Sequence, residues 1–286
     1  MLLKNYRDTF VQELSSLYDE KEIESFFYLV LESFLHKKRI DLALNPEMEM
    51  DAIQLLQWEN LLAELKKQKP IQYILGETEF YGLPFLVNEN VLIPRPETEE
   101  LVDLIIKEEA RSKRQEARVR ILDIGTGSGC IAISLAKNIP TAEVYAIDVS
   151  EKALATAQKN AELNKVEVTF ILKNILKADD LEQQFDVIVS NPPYVRNLEK
   201  AEINPNVLEY EPHLALFVED DDALLFYRKI AQLAMKNLSP NGQLYFEINQ
   251  YLGNETVALV ESFGFSDVKL IKDIYGNDRV LFGEKL

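Results

Sequence analysis

Residues 119–130 read Val-Arg-Ile-Leu-Asp-Ile-Gly-Thr-Gly-Ser-Gly-Cys. The run Val119–Ile124 has the length and apolar content of a buried strand. Glycines at 125, 127 and 129 then let the backbone turn sharply, and Cys130–Asn138 carries helical periodicity. A strand that turns through glycines directly into a helix opens an α/β unit, and the sequence downstream repeats the alternation. Strands are expected at Glu143–Ile147, Val166–Leu172, Phe185–Ser190 and Gln243–Ile248, with helices at Glu151–Asn164 and Ala223–Asn237. Two more strands, Asp267–Ile271 and Arg279–Phe282, flank the turn Tyr275-Gly-Asn277. The fold class is α/β, a doubly wound parallel sheet covered on both faces.

Upstream the pattern is different. A charged stretch, Arg111 to Arg118, precedes the first strand, and before it Leu101–Ala110 reads as a helix started at Pro96 or Thr98. Short aromatic and β-branched runs at Glu79–Gly82, Pro84–Val87 and Val91–Ile93 suggest a hairpin joining two domains. The first eighty or so residues are helical: Phe10, Leu14, Leu17 and Tyr18 share one face, and Phe26, Phe27, Val30, Leu31 and Phe34 another. A third helix, Met50–Lys67, is expected to turn Ile53, Leu56, Leu61 and Leu65 inward, between breaks at Asn45-Pro46 and Lys69-Pro70. The expected domains are 1–78, helical; 79–93, a hairpin linker; and 94–286, α/β.

The 286 residues carry 48 acidic and 31 basic side chains, a net charge of −17, which argues against sequence-independent binding of a polyanion. One cysteine forbids an internal disulfide, and two histidines are too few for the usual zinc sites. No apolar run approaches the ~20 residues of a membrane helix, and charges interrupt the amino terminus where a signal peptide is apolar. The expectation is a cytoplasmic protein, with no membrane or nucleic-acid partner and no demand for more than a monomer.

Two constellations carry chemistry. The loop Gly125–Gly129 lies where open α/β sheets bind ligands. A dinucleotide fingerprint asks for a small residue at 130, which is Cys; G-x-G-x-G preceded by Asp123 fits S-adenosylmethionine better. Asp148 ends the next strand about 20 residues on, the spacing of a ribose-binding acid. Taken alone it serves equally well as the N-cap of the helix from Glu151. The second constellation is Ser190-Asn-Pro-Pro-Tyr194, at the same sheet edge. Two prolines remove two backbone donors, so the turn presents carbonyl oxygens, joined by the side-chain oxygen of Asn191. Such a set accepts both hydrogens of a planar –NH2 group, while Tyr194 offers an aromatic face. Acceptors on both N–H bonds aim the nitrogen at an electrophile and favour the positive charge that develops on it.

Other residues read as structural. His36 belongs to a helix end, His213 has no nucleophile beside it, Glu219–Asp222 is a solvated loop, Trp58 is packing, and Cys130 is a small buried residue.

With Pro70-Ile-Gln-Tyr-Ile-Leu-Gly76, Phe80-Tyr-Gly82, Val91-Leu-Ile-Pro-Arg-Pro-Glu-Thr-Glu99, the glycine loop, Asn191-Pro-Pro-Tyr194 and Glu211-Pro-His-Leu-Ala-Leu216, the chain resembles class I S-adenosylmethionine-dependent methyltransferases. More narrowly, it resembles the peptide chain release factor glutamine methyltransferase family, over nearly its whole length. The resemblance implies an N-terminal helix bundle, a β-hairpin linker and a seven-stranded Rossmann-like methyltransferase domain. It implies N5-methylation of the glutamine in the Gly-Gly-Gln motif of class 1 release factors, with S-adenosyl-L-homocysteine as the other product. By the family pattern Gly125, Thr126, Gly127, Ser128, Gly129, Asp148, Ile175 and Asn191 hold the cofactor. Asn191, Pro192, Pro193 and Tyr194 grip the substrate glutamine, and Arg95 and Glu97 line the cleft. Two departures stand out: Lys173-Asn-Ile175 replaces an acid followed by a large aromatic, and Val218-Glu-Asp-Asp-Asp-Ala223 replaces a glycine-containing loop.

Three rivals share parts of this pattern. A ribosomal-protein glutamine methyltransferase has the same Asn-Pro-Pro-Tyr turn, but Pro94–Glu99 favours the release-factor branch by resemblance. A DNA adenine-amine methyltransferase needs a basic reading surface, which is missing. A dehydrogenase needs the third small residue of its fingerprint.

Overall fold

A computed structural model of the chain describes residues 1–111 and 118–286. The charged stretch expected between Arg111 and Arg118 therefore lies, at 112–117, outside the described residues. Two compact units are present: one comprises Met1–Gly76 with Asn204–Tyr210, the other Glu77–Ile203 with Glu211–Leu286.

The smaller unit holds helices α1 (Leu3–Leu14), α2 (Glu20–Leu35), α3 (Arg39–Leu44), α4 (Ala52–Leu65) and α5 (Ile71–Leu75). Asp19 and Asp51 cap α2 and α4 by accepting backbone N–H groups of the first turn, and His36 ends α2 in the left-handed conformation. The core is aromatic: Trp58 is fully buried, with Tyr6, Phe10, Phe27 and Phe34 rings centred 5.0–6.3 Å from its own. That core corrects the expected face of α4. Ile53 and Leu56 are 72 % and 61 % exposed, because Trp58, Leu61, Leu62 and Leu65 turn inward instead. Leu17 is likewise exposed, lying past the end of α1.

The larger unit begins with the hairpin β1 (Glu77–Phe80) and β2 (Leu83–Leu86), followed by α6 (Pro96–Arg111). Its main elements are β3 (Val119–Ile124), α7 (Cys130–Asn138), β4 (Ala142–Asp148), α8 (Glu151–Asn164), β5 (Thr169–Leu172) and β6 (Phe185–Ser190). After the two-residue strand β7 (Val195–Arg196), α9 (Pro205–Tyr210) of the smaller unit and β8 (Phe217–Val218) come α10 (Leu225–Asn237), β9 (Leu238–Glu247), α11 (Gly253–Ser262), β10 (Ser266–Lys272) and β11 (Asp278–Glu284). Seven strands form one sheet in the order β10-β11-β9-β6-β3-β4-β5. Strands β5, β4, β3, β6 and β9 run parallel; β11 is antiparallel to both neighbours.

Alternation along β3 shows how the sheet is covered. Ile121 packs with α6 and α7 on one face, while Leu122 and Ile124 pack with α10 on the other. An α/β sheet covered on both faces is the expected fold.

Three local expectations change. Val91 and Ile93 are buried, but Val91–Ile93 is not a strand, since the Ile93 N–H goes to the Glu211 carboxylate rather than to a neighbouring strand. Val166–Val168 precede β5, because the α8 C-terminus turns through Lys165 at φ +56° and pairing with β4 starts only at Thr169. Residues 79–93, expected as a linker, sit inside the larger unit: Asn160 of α8 bonds both the N–H and the C=O of Leu86. Among the described residues no helix is long and apolar enough to cross a membrane.

Candidate active site

The order of the strands reverses at β3, and the crevice outside the carboxyl ends of β3 and β6 is where such sheets bind ligands. The pairing of Ile124 with Ser190 sets the two sequence-predicted constellations side by side there. A cleft opens over them, walled by Gly125–Ser128 of the glycine loop, the end of β4, Lys173–Leu176, Ser190–Pro193, Pro94 and Arg95 before α6, Thr98 in its first turn, and Leu214 and Ala215.

Gly125 and Gly127 take φ +79° and +55°, and a Cβ on either would meet no protein atom within 4 Å. The space over the loop is therefore open to a ligand, and a side chain there would occupy it. Gly129 is different. Its Cβ would lie 2.8 Å from Ile133 and 3.1 Å from Ala157, so it permits close packing of α7 on α8 and is absent from the cleft wall. Beneath the loop Asp123 is wholly buried. Its Oδ2 accepts the Thr126 hydroxyl at 2.6 Å and its Oδ1 has no hydrogen-bond partner. Burial pushes its pKa up to about 7, against the Thr126 hydrogen bond.

Asp148 ends β4 with Oδ2 accepting the Gly127 N–H at 2.9 Å and Oδ1 accepting the Ser150 N–H at 2.8 Å. The N-cap of α8 is Ser150, whose hydroxyl accepts from Ala153, so the capping alternative for Asp148 does not apply. Each Asp148 oxygen keeps lone-pair capacity for a hydroxyl of a ligand. Ile175 lies in the cleft wall on a short 3-10 turn that Asn174 caps through the Leu176 N–H. The Lys173 N–H donates to the Asp148 carbonyl, and the Lys173 ammonium pairs with Glu182 at 2.9 Å. Cys130, expected as a small buried residue, is half-buried at the start of α7 and lines the cleft; desolvation pushes its thiol up to about 12, leaving it un-ionised.

In the proline turn, Asn191 Nδ2 donates to Thr98 Oγ1 at 3.3 Å, and Thr98 donates to Glu247 Oε2 at 2.6 Å. Asn191, Pro192 and Pro193 line the cleft. Tyr194 does not; its hydroxyl donates to Glu247 Oε1 at 3.1 Å, and its carbonyl accepts from Asn249. Burial holds the Tyr194 hydroxyl far above its ordinary pKa. Burial also raises the pKa of Glu247, against the Thr98 and Tyr194 donors and the charge of Arg279. Arg95 lines the cleft and pairs with the buried Glu211 at 2.5 Å, whereas Glu97 is not in the wall and acts on Glu247 as a repulsive charge.

Thr98, Glu211 and Glu247 were not singled out from sequence as site residues. The available signal was Glu247, a lone charge at the end of the apolar strand Leu244–Phe246 and at the same sheet edge as Asn191.

The amino-terminal part of the chain matches the PrmC N-terminal domain over residues 7–76, and residues 106–210 match the Methyltransferase small domain. A release factor glutamine methyltransferase of Flavobacterium psychrophilum is 70% identical over 281 residues, 98% of each chain. One from Bacteroides thetaiotaomicron is 47% identical over 271 residues, 94% of this chain and 95% of that one. Among solved structures, a methyltransferase from Pyrococcus furiosus superposes with a TM-score of 0.52 at 21% identity, covering 82% of this chain and 99% of the other, a likeness of fold. Similarity that runs end to end at this level of identity, through both the helical unit and the cleft, places the chain in the release factor glutamine methyltransferase family.

Proposed function

We propose that this chain transfers a methyl group from S-adenosyl-L-methionine to the side-chain amide nitrogen of the glutamine in the Gly-Gly-Gln motif of class 1 release factors. The observation that carries the reading is the Asn191-Pro-Pro turn lying beside an open glycine loop in one cleft. The donor set suits the cofactor. Gly125 and Gly127 leave room for its amino-acid portion, Asp148 accepts from the ribose hydroxyls, and Ile175 offers an apolar surface to the adenine. When bound, S-adenosyl-L-methionine supplies an electrophilic methyl group on a sulfonium.

The chain's part is to make a poor nucleophile reactive by position. Amide nitrogen is weakly nucleophilic because its lone pair is delocalised. Asn191 Oδ1 and the carbonyls of the proline turn accept the two N–H bonds, which turns the lone pair out of conjugation and toward the methyl group. The same acceptors would stabilise the positive charge that develops on nitrogen, which exchanges one N–H for the methyl group and releases that proton to solvent through the open cleft. Neutral acceptors suffice, in keeping with a site in which Cys130 stays un-ionised and no histidine lines the cleft.

Tyr194, set behind the cleft wall, contributes through its hydroxyl on Glu247. Arg95, tied to Glu211, borders the approach to the turn. The protein works in the cytoplasm as a monomer, with a protein substrate and no nucleic-acid or membrane partner. Its net charge of −17 suits a partner that itself binds ribosomal RNA and carries basic patches.

Incubation with labelled S-adenosylmethionine and, in separate reactions, a release factor, a ribosomal protein and duplex DNA tests the reading. Label is expected in the release factor and lost when its motif glutamine is changed to alanine. Label confined to the ribosomal protein or to DNA overturns it.

A further inference from the structure

Glu247 is a 1% exposed carboxylate at the end of β9, outside the acceptors that the methyl transfer reading needs. Two hydroxyls converge on it, Thr98 at 2.6 Å on Oε2 and Tyr194 at 3.1 Å on Oε1, and Arg279 adds a favourable charge. Thr98 is itself buried in the first turn of α6. Its hydroxyl has one proton, and Glu247 accepts it: the Tyr194 hydroxyl on the other oxygen and the charge of Arg279 favour the ionised carboxylate against burial, and an ionised carboxylate can only accept. Toward Asn191, 3.3 Å away, Thr98 can therefore only accept in turn, so the Asn191 carboxamide must present its –NH2 to Thr98. The carboxamide oxygen is left over. It makes no hydrogen bond within the protein among the described residues, and Asn191 lines the cleft.

We propose that Thr98 and Glu247 form a relay that fixes which way round the Asn191 carboxamide stands, so that an acceptor and not a donor faces the substrate amide. They are positioning residues for methyl transfer, and the proposal rests on the role given to the proline turn above. Without the relay the carboxamide can turn over, and its –NH2 then opposes the –NH2 of the incoming glutamine. Two donors face each other, and the nitrogen loses one of the two acceptors that aim it. Two buried side chains from α6 and β9, far from one another in sequence, thus decide the hydrogen-bonding sense of a side chain on a third segment.

Steady-state methyl transfer to the release factor by the full chain tests the relay. Thr98→Val, which keeps the shape and removes the hydroxyl, should lower kcat by about 10- to 100-fold while the release-factor KM and the S-adenosylmethionine Kd stay within about threefold. Thr98→Ser restores the hydroxyl and should recover kcat to within about threefold of wild type. An undiminished kcat in Thr98→Val overturns the relay. So does a Thr98→Ser variant as slow as Thr98→Val, because the loss is then one of packing. If Thr98→Val fails to fold, Thr98→Ala is read on the same terms. Absence of transfer by the wild-type chain overturns the proposed function itself and the relay with it; normal wild-type transfer with an unaffected Thr98→Val variant overturns the relay alone.

Discussion

Asp148 Oδ2 accepts the backbone N–H of Gly127 at 2.9 Å, so the carboxylate that ends β4 holds the glycine loop at the end of β3. The second oxygen is tied to Ser150, which leaves the side chain fixed before any ligand arrives. Asp148→Ala should weaken S-adenosylmethionine binding by about 30- to 1,000-fold, the loss of ~2–4 kcal/mol from hydrogen bonds to a charged group. Calorimetric titration measures it, and an affinity within threefold of wild type contradicts the assignment.

Asn160 supports the same loop from behind. Its Oδ1 accepts from the Leu86 N–H at 2.6 Å, and its Nδ2 donates to the carbonyls of Leu86 and Ser128 at 3.0 and 2.9 Å. Asn160→Ala takes the partner from three backbone groups, two part-buried at Leu86 and one buried at Ser128, and should lower the unfolding free energy by ~2–3 kcal/mol. Urea denaturation checks this; a change below ~1 kcal/mol refutes the clip.

Much of this fold was legible because its chemistry is local. The ends of β3, α7, α8 and β6 match their expected ranges, since an apolar run, a glycine turn, the Ser150 cap or an Asn-Pro step marks their starts or ends within the segment itself. What failed depended on partners distant in sequence. Helix α4 carries apolar residues on more than one face, so periodicity alone did not choose between Ile53 with Leu56 and Trp58 with Leu62; the aromatic cluster built by α1 and α2 did. Val91–Ile93 has strand composition, yet the Ile93 N–H is taken by the carboxylate of Glu211, a residue distant in sequence. At the site, Gly125, Asp148 and Asn191 stood out because their neighbours form motifs. Thr98 looked like a helix start and Glu247 like a strand end, and only folding brings them to 2.6 Å.

Asp123 links stability to pH. Its folded pKa of about 7 lies above the unfolded value near 4, so the folded state holds its proton more tightly. The contribution to stability is complete below pH ~4 and is lost as pH rises through ~7, a swing of roughly 4 kcal/mol. Asp123→Asn should flatten the fall in unfolding free energy between these limits relative to wild type. Parallel pH profiles for the two proteins count against the buried proton.

The charge of −17 predicts how the enzyme meets its partner. Added salt should lower kcat/KM for the release factor and leave kcat nearly unchanged, because screening acts on encounter. Rates indifferent to salt remove the steering argument.

The most direct test is to map the modification itself and to repeat the mapping with Asn191→Ala. After incubation with S-adenosylmethionine, fragment mass spectrometry of the release factor should place one methyl group on the side chain of the motif glutamine. Asn191→Ala should leave that residue unmodified while binding the cofactor within about threefold of wild type. A methyl group on another residue, or undiminished modification by Asn191→Ala, contradicts the central claim that this turn holds a glutamine amide for methyl transfer.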